Sequence, residues 1–236
     1  MQAKGLKILK VNTPRFFLWF VLLFLHTSLW AQVNVQVGYG ISSLQSDANQ
    51  RIFDQFKAEN PWLVSGSKDL GLLHGLDLGL RYGMSQVLTG IQWKNRLSSW
   101  TFDGVSPTTQ SSFKHEFFYN LSAFSFFLEA GRSFLGFGAS LDYNDFTIKE
   151  RQTGFDSKIA IFSQNFWSNR FYVNLNFPAG STAQVTLQCY YDMPWGNVDL
   201  GELGENVLHQ DKPKELSDPL RHFGISLIIN NGPQGD

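Results

Sequence analysis

From Leu70 to Leu97 the chain keeps to a two-residue repeat that suits a β-strand. Leu70, Leu72, His74, Leu76, Leu78, Leu80 and Tyr82 fall on one side, with Gly71, Leu73, Gly75, Asp77, Gly79 and Arg81 on the other. After Gly83-Met84-Ser85 the repeat resumes, with Val87, Thr89, Ile91 and Trp93 against Gly90, Gln92, Lys94 and Arg96. Successive side chains of a strand point to opposite faces, so each half is a ribbon with one greasy and one polar face. A soluble sandwich buries the greasy face. A transmembrane barrel turns it to lipid and closes the polar face around its interior. Which face lies inside is the question the rest of the chain has to answer.

Composition leans toward the barrel. Charged residues make up 17% and aromatics 15%, with 22 Phe in 236 residues, so many rings need an apolar surface to sit on. The first 31 residues stand apart. Lys4, Lys7, Lys10 and Arg15 precede the apolar run Phe16 to Leu25, and Trp30-Ala31-Gln32 offers a cut after Ala31. That run is too short to span a bilayer comfortably, so it is expected to be a signal peptide, leaving 32–236 as the mature domain. The leader holds four of the 19 basic residues and none of the 20 acidic ones, which leaves 15 against 20, a net charge of −5. A nucleic-acid partner is disfavoured by that sign. Cys189 is the single cysteine, so no intrachain disulfide forms. No apolar run beyond Leu25 reaches the length of a membrane helix, so any membrane crossing is made by strands.

Six further strands share the two-faced pattern. Val33 to Ile41 comes first, before the Leu70–Leu97 hairpin. A fourth places Phe113, His115, Phe117, Tyr119, Leu121 and Ala123 on the greasy side and Lys114, Glu116, Phe118, Asn120 and Ser122 opposite. The others centre on Leu135–Tyr143, Phe171–Phe177, Ala183–Tyr191 and Phe223–Ile229. Long connections (43–69, 99–112, 147–168 and 192–219) alternate with short turns. In the first of them Ser46 can cap a helix carrying Ala48, Ile52, Phe53 and Phe56 on one side, ended by Asn60-Pro61. The segment 147–168 is expected to protrude as a hairpin with Thr153-Gly154-Phe155-Asp156 near its tip.

Long and short connections in alternation are the signature of an up-and-down outer-membrane barrel, and a soluble sandwich has no reason to sort its loops this way. The expected fold is all-β, an eight-stranded antiparallel transmembrane barrel in a bacterial outer membrane. Eight strands enclose an interior just wide enough for side chains. Its polar cluster is expected to contain Asp77, Arg81, Lys94, Arg96, Lys114, Glu116, Asp142 and Arg170, alongside Asn34 and Gln36. Buried charges of both signs must pair. Rings near the strand ends form two expected girdles: Tyr82, Phe134 and Phe177 on the turn side, and Phe113, Phe117, Tyr143, Phe171 and Tyr191 on the loop side.

On these features the chain resembles the small eight-stranded outer-membrane barrels of the OmpA/OmpX type. More narrowly, it resembles the outer-membrane barrels of Bacteroidetes, including the PorT-like group. The likeness covers Gln32 to about Asn230 and lies in the start Gln32-Val33-Asn34-Val35-Gln36-Val37-Gly38-Tyr39-Gly40 and the strand and loop pattern. It is architectural and carries no catalytic or binding motif across. Such barrels often end on an aromatic residue, whereas here Asn231-Gly232-Pro233-Gln234-Gly235-Asp236 follows the last strand. The barrel is expected to be monomeric, and the PorT-like resemblance implies a role as an accessory to a secretion or assembly machine.

Three functional classes stay open. In the first, the long loops are an interaction surface, with Phe53, Trp62, Trp100, Phe155, Trp167 and Trp195 as candidate contacts for another envelope protein, and lipid and lipopolysaccharide as the surroundings. In the second, a lipid-modifying enzyme works at the outer leaflet through His115, with Ser111 and Ser112 nearby. His74 also falls on the greasy side. In the third, the lumen charges line a narrow pore. The loop 192–219 carries seven carboxylates against Lys212 and Lys214, yet their spacing matches no calcium loop. No metal or cofactor is expected.

Overall fold

The computed structural model describes residues 32–65, 71–84, 87–108, 110–131, 134–180, 183–209 and 216–231. The expected signal peptide, the turn residue Ser85, and Asp211, Lys212, Lys214 and Glu215 of the acidic loop lie outside them. So does the tail after Asn231. The two-residue repeat produces eight long strands: β1 Gln32–Gln45, β3 Leu72–Met84, β4 Val87–Val105, β5 Ser112–Gly131, β6 Leu135–Gln152, β7 Ile159–Pro178, β8 Ala183–Pro194 and β11 Arg221–Asn231. Short pieces lie between them: α1 Asp47–Glu59, β2 Leu63–Ser65, β9 Val198–Asp199, α2 Gly201–Leu208 and β10 Ser217–Asp218. Helix α1 forms where the alternation stops. Ser46 accepts a hydrogen bond from the Asn49 N–H, and Ala48, Asn49, Ile52, Phe53 and Phe56 are buried along one side.

The strands close on themselves. Each long strand pairs with its neighbours in sequence, β11 pairs antiparallel with β1, and the β4–β5 pairing completes the ring. A closed barrel leaves no edge strand unpaired. At one end of the barrel the long strands are joined by 85–86, 132–134 and 179–182. At the other end two of the four connections contain the helices and short strands. The other two are shorter than the sequence suggests, because β4 continues to Val105 and β6–β7 reach Gln152 and Ile159, leaving only 106–111 and 153–158 between strands.

Cross-strand register marks a boundary on the outside of this wall. Trp93, Phe124, Tyr143 and Trp167 are direct partners across β4–β7. One step toward the long-connection end, the outward row is Asn95, Ser122, Asp145 and Asn165, and the Asn95 amide donates to Ser122 Oγ at 3.0 Å. Toward the short turns the outer face is apolar, with Leu78, Leu80, Phe126, Leu128, Phe137, Phe171, Ile225 and Leu227 all exposed. An exposed apolar belt below a row of rings is what a hydrocarbon layer about 25 Å thick requires of a barrel.

Beyond that boundary the faces exchange character. On the short-turn side and for the first step past the row the inner face is polar, with Gln92, Lys94 and Arg96 on β4 and Asp142 and Asn144 on β6. Above that the same inner faces carry Trp100 and Phe102 on β4, Phe117, Tyr119 and Leu121 on β5, and Phe146 and Ile148 on β6. These rings form a buried apolar core with α1 and α2. The exchange corrects the sequence reading of β5. Phe117, Tyr119 and Leu121 face inward, and Phe124, Phe126 and Leu128 face out. Lys114 and Glu116 therefore sit on the outer wall, where Lys114 is about half exposed. A strand that is apolar inside at one end and apolar outside at the other gives two conflicting signals. Only the segment crossing the belt tells which face meets lipid.

Leu78 lies on the outward face of β3 and is 41% exposed. Leu78→Arg is expected to destabilise the barrel by about 2–4 kcal/mol if the position is at the belt's midplane, read as a lower urea midpoint by heat-modifiability. An unchanged midpoint would contradict the assigned face.

Candidate functional site

The interior has two levels, and the lower one is a paired set of ions. Strand alternation aims Asp77 and Arg81 inward from β3, Lys94 and Arg96 from β4, Glu129 from β5, Asp142 from β6, Arg170 from β7 and Asp192 from β8. Four cations thus meet four carboxylates, and all are nearly sealed from solvent. Arg170 sits at the centre. Its Nε donates to Asp192 Oδ2 at 2.6 Å, its Nη2 lies 3.0 Å from Asp142, and its guanidinium covers the Tyr190 ring at 4.4 Å. Lys94 reaches Asp142 at 3.3 Å, and Arg81 reaches Glu129 at 3.0 Å. Arg96 Nη2 donates to Asp77 Oδ2 at 2.9 Å and to Ser226 Oγ at 3.0 Å.

Two hydroxyls and an imidazole add to the shells of Asp142 and Asp192. Ser168 donates to Asp192 Oδ1 at 2.6 Å, Ser140 donates to Asp142 Oδ1 at 2.7 Å, and His222 Nε2 stands 3.1 Å from Asp192. Glycine makes room for the large groups. A Cβ on Gly40 would meet Arg96 Nη2 at 2.2 Å, and one on Gly224 would meet the Tyr190 ring at 2.4 Å, so neither position can carry a side chain without displacing the network. The space lined by Arg81, Glu129, Gln36, Gln92, Asn174 and Gln188 amounts to about 10 Å³. That is about the room one water molecule needs.

The upper level is aromatic. Phe53 of α1 is fully buried, with its ring 4.8 Å from Trp100 and 4.9 Å from Phe117. Phe56 packs edge-on to Phe102 at 5.2 Å and to His115 at 5.4 Å. Leu203, Val207 and Leu208 of α2 join the same core. Polar ties hold the cap in place. Asp218 Oδ2 accepts from the Ala48 N–H at 2.9 Å and from Ser46 Oγ at 3.2 Å, Tyr119 donates to Asn49 Oδ1 at 3.2 Å, and Asn206 donates to the Ile161 carbonyl at 2.7 Å.

Six of the eight expected lumen residues lie in this interior: Asp77, Arg81, Lys94, Arg96, Asp142 and Arg170. Lys114 and Glu116 do not. On the outer wall Glu116 is bonded by Lys114 at 2.9 Å and by Arg151 Nε at 2.7 Å. Partial burial raises the Glu116 pKa, but the bonds from Lys114 and Arg151 outweigh it and hold the carboxyl below its ordinary value of 4.5. Glu129 and Asp192 take the lumen places instead. Charge balance is the signal that could have found them: without Lys114 and Glu116, the expected set has four cations against two carboxylates, and an enclosed interior demands two more.

The candidate loop contacts divide. Phe53 and Trp100 are buried core residues, because the helix and the upper strand faces need rings to fill the barrel mouth. Trp62 is half-buried against Phe113, 5.4 Å away. Phe155 is 61% exposed. Trp167 belongs to the boundary row, and Trp195 stacks on it at 6.0 Å. Of the expected loop-side girdle, Phe117 is inside the upper core, whereas Tyr143, Phe171 and Tyr191 face out. Among the candidates for chemistry, His115 is buried, stacked on Phe117 at 4.4 Å and 3.1 Å from Glu150. His74 lies on the outer face, where its Nδ1 is 2.6 Å from the Tyr39 hydroxyl. In the acidic loop Asp192 turns into the lumen, Asp199 accepts from the Gly201 N–H, and Asp218 ties down α1. Among the described residues no group of three His, Cys, Asp or Glu side chains could hold a metal ion.

No protein-family model and no curated protein sequence matches the chain. Among solved structures it is similar to Ail, the attachment invasion locus protein of Yersinia pestis, at 12% identity and a TM-score of 0.42, over 84% of this chain and 96% of that one. It is also similar to Neisserial surface protein A, at 12% identity and a TM-score of 0.40, over 86% and 98% of the two chains. For the outer membrane protein OprG of Pseudomonas aeruginosa the values are 9% identity and 0.36, over 84% and 93%. The architecture itself, an eight-stranded antiparallel barrel, is given by the strand register.

Asp192 receives Arg170, Ser168 and the His222 ring. Asp192→Asn is expected to lower stability by about 3–5 kcal/mol, the usual cost of leaving a buried ion without its partner, measured by urea titration in detergent. A midpoint within error of the parent would show that the network does not hold the barrel together.

Proposed function

We propose that this chain is an integral outer-membrane barrel whose interior is closed and whose work is done on its outer surfaces, as an interaction or envelope-architecture protein. The observation that carries this reading is the double closure of the interior. The lower level is filled by ions balanced four to four, and the space lined by Arg81, Glu129 and their polar neighbours holds only about 10 Å³. The upper level is filled by Phe53, Phe56 and the apolar side of α2. Moving a hydrated ion through would require breaking buried pairs and undocking the cap together. The apolar belt and its ring of Trp93, Phe124, Tyr143 and Trp167 support residence in a bilayer. The alternation of long and short connections supports the outer membrane as that bilayer.

Neither histidine supports a lipid-modifying enzyme. His115 is inside the aromatic core, and His74 is engaged by a tyrosine hydroxyl. The exposed side chains that stand beyond the belt on the long-connection side are the natural contacts for another envelope protein. Phe155 and Ile159 at the β6–β7 tip, and Val64 on β2, are each more than half exposed. An accessory place beside a secretion or assembly machine, as the resemblance to the Bacteroidetes barrels implies, is one such role. Purified protein reconstituted in planar bilayers is expected to give no conductance steps across the whole voltage range. Reproducible unitary steps would overturn the closed-interior reading in favour of a pore.

A further inference from the structure

The wall made by β5, β6 and β7 carries two features, one inside the apolar belt and one above it, that fit the same kind of molecule. The lower feature is an open notch of about 460 Å³ centred on Ala139, with Phe126, Leu128, Leu141, Asn169 and Phe171 around it. A methyl group among rings and leucines leaves an open hollow in the outer wall. Asn169 closes its upper end, directly below Trp167 of the boundary row and opposite Leu141. Its carboxamide has no protein hydrogen-bond partner among the described residues, although it faces the belt. An amide left without a partner in hydrocarbon is costly. One row below the aromatic girdle is the depth at which acyl chains join their headgroup, and an acyl linkage there could bond to it.

The upper feature is cationic. Phe118 faces outward on β5, directly paired with Lys149 of β6. Lys158 Nζ lies 3.5 Å from the centre of its ring, and the Arg151 guanidinium lies 5.5 Å away. Seven lysines and arginines among the described residues lie outside the lumen, and four of them, Lys114, Lys149, Arg151 and Lys158, gather on this one wall. Glu116 engages Lys114 and Arg151, and Asp103 is the cross-strand neighbour of Lys114. Lys149 and Lys158 have no carboxylate partner among the described residues. The lower edge of the patch, nearest the membrane, is therefore where positive charge stays uncompensated.

Height selects the occupant. From Leu141 to Lys149 is eight residues along β6, or roughly 26 Å of strand and about 20 Å of height at the usual tilt of a barrel strand. The headgroup layer of an ordinary phospholipid leaflet is only about 5–8 Å deep, so a phospholipid seated in the notch cannot touch Lys149. A glycolipid with an anionic saccharide headgroup can. We propose that this wall is a binding site for an outer-leaflet glycolipid, with an acyl chain in the Ala139 notch, its linkage at Asn169, and phosphate or carboxylate groups of its saccharide on Lys149 and Lys158. This rests on the outer-membrane reading above.

The test starts from the native outer-membrane fraction, extracted in mild detergent, with bound lipid identified by native mass spectrometry. The wild-type protein is expected to carry glycolipid at near one per barrel, in excess of its share of the surrounding lipid. K149E/K158E is expected to reduce glycolipid retention about tenfold while leaving retained phospholipid unchanged. Ala139→Phe, which fills the notch, is expected to reduce it as well, with the heat-modifiable fold intact in both variants. Retention of lipids only in bulk proportion by the wild type, or unchanged glycolipid retention in K149E/K158E, would overturn the proposal. Absence of the protein from the outer-membrane fraction would overturn the reading beneath it, before any lipid is measured.

Discussion

Arg170 cannot be buried alone, and much of the barrel follows from how its charge is met. It is held between Asp142 of β6 and Asp192 of β8 and covers the Tyr190 ring. Asp142 in turn takes Lys94 from β4, and Asp192 takes His222 from β11. One connected set of ions therefore ties strands that are far apart in sequence across the interior. Stripping two charges of water costs several kcal/mol per ion, and in a closed interior that cost is offset only when geometry and hydrogen bonds are both good. The hydroxyls of Ser140 and Ser168 and the glycines at 40 and 224 are the fittings that make them good.

A polar interior with an apolar belt outside it is the arrangement a barrel in hydrocarbon requires. Above the boundary row the outer wall meets water, so the apolar faces turn inward and close over Phe53 and Phe56. The barrel is thus an inside-out structure in its lower part and an ordinary hydrophobic core in its upper part, built on continuous strands. β5 runs 20 residues without interruption through both regions. The two helices and the ties at Asp218, Asn49 and Asn206 convert what would be an open mouth into a packed cap.

This division explains how far the sequence could be read. Seven strands show the expected face inward, because their membrane segments carry clean alternation: Leu76, Leu78 and Leu80 outside and Asp77 and Arg81 inside on β3 are a clear case. Helix α1 was legible from Ser46 and the spacing of Ala48, Ile52, Phe53 and Phe56. β5 was not, since Phe113 to Ala123 alternates just as cleanly as a lipid-facing stretch while belonging mostly to the water side of the boundary. Period alone reports which residues share a face, and only the surroundings decide where that face points. The same limit hid Asp192 and Glu129, which read locally as loop and turn residues. It also made Phe53 and Trp100 look like surface contacts when they fill the core.

The exchange of faces along β5 is tested most directly by a nitroxide scan of positions 116 to 129 in reconstituted bilayers. Collision with oxygen and with a water-soluble nickel complex separates lipid from water. Labels at 124, 126 and 128 should be relaxed by oxygen, labels at 116 and 118 by nickel, and labels at 117, 119, 125 and 127 by neither. Oxygen accessibility at 117, 119 and 121, with 124 and 126 protected, would contradict the two-level barrel.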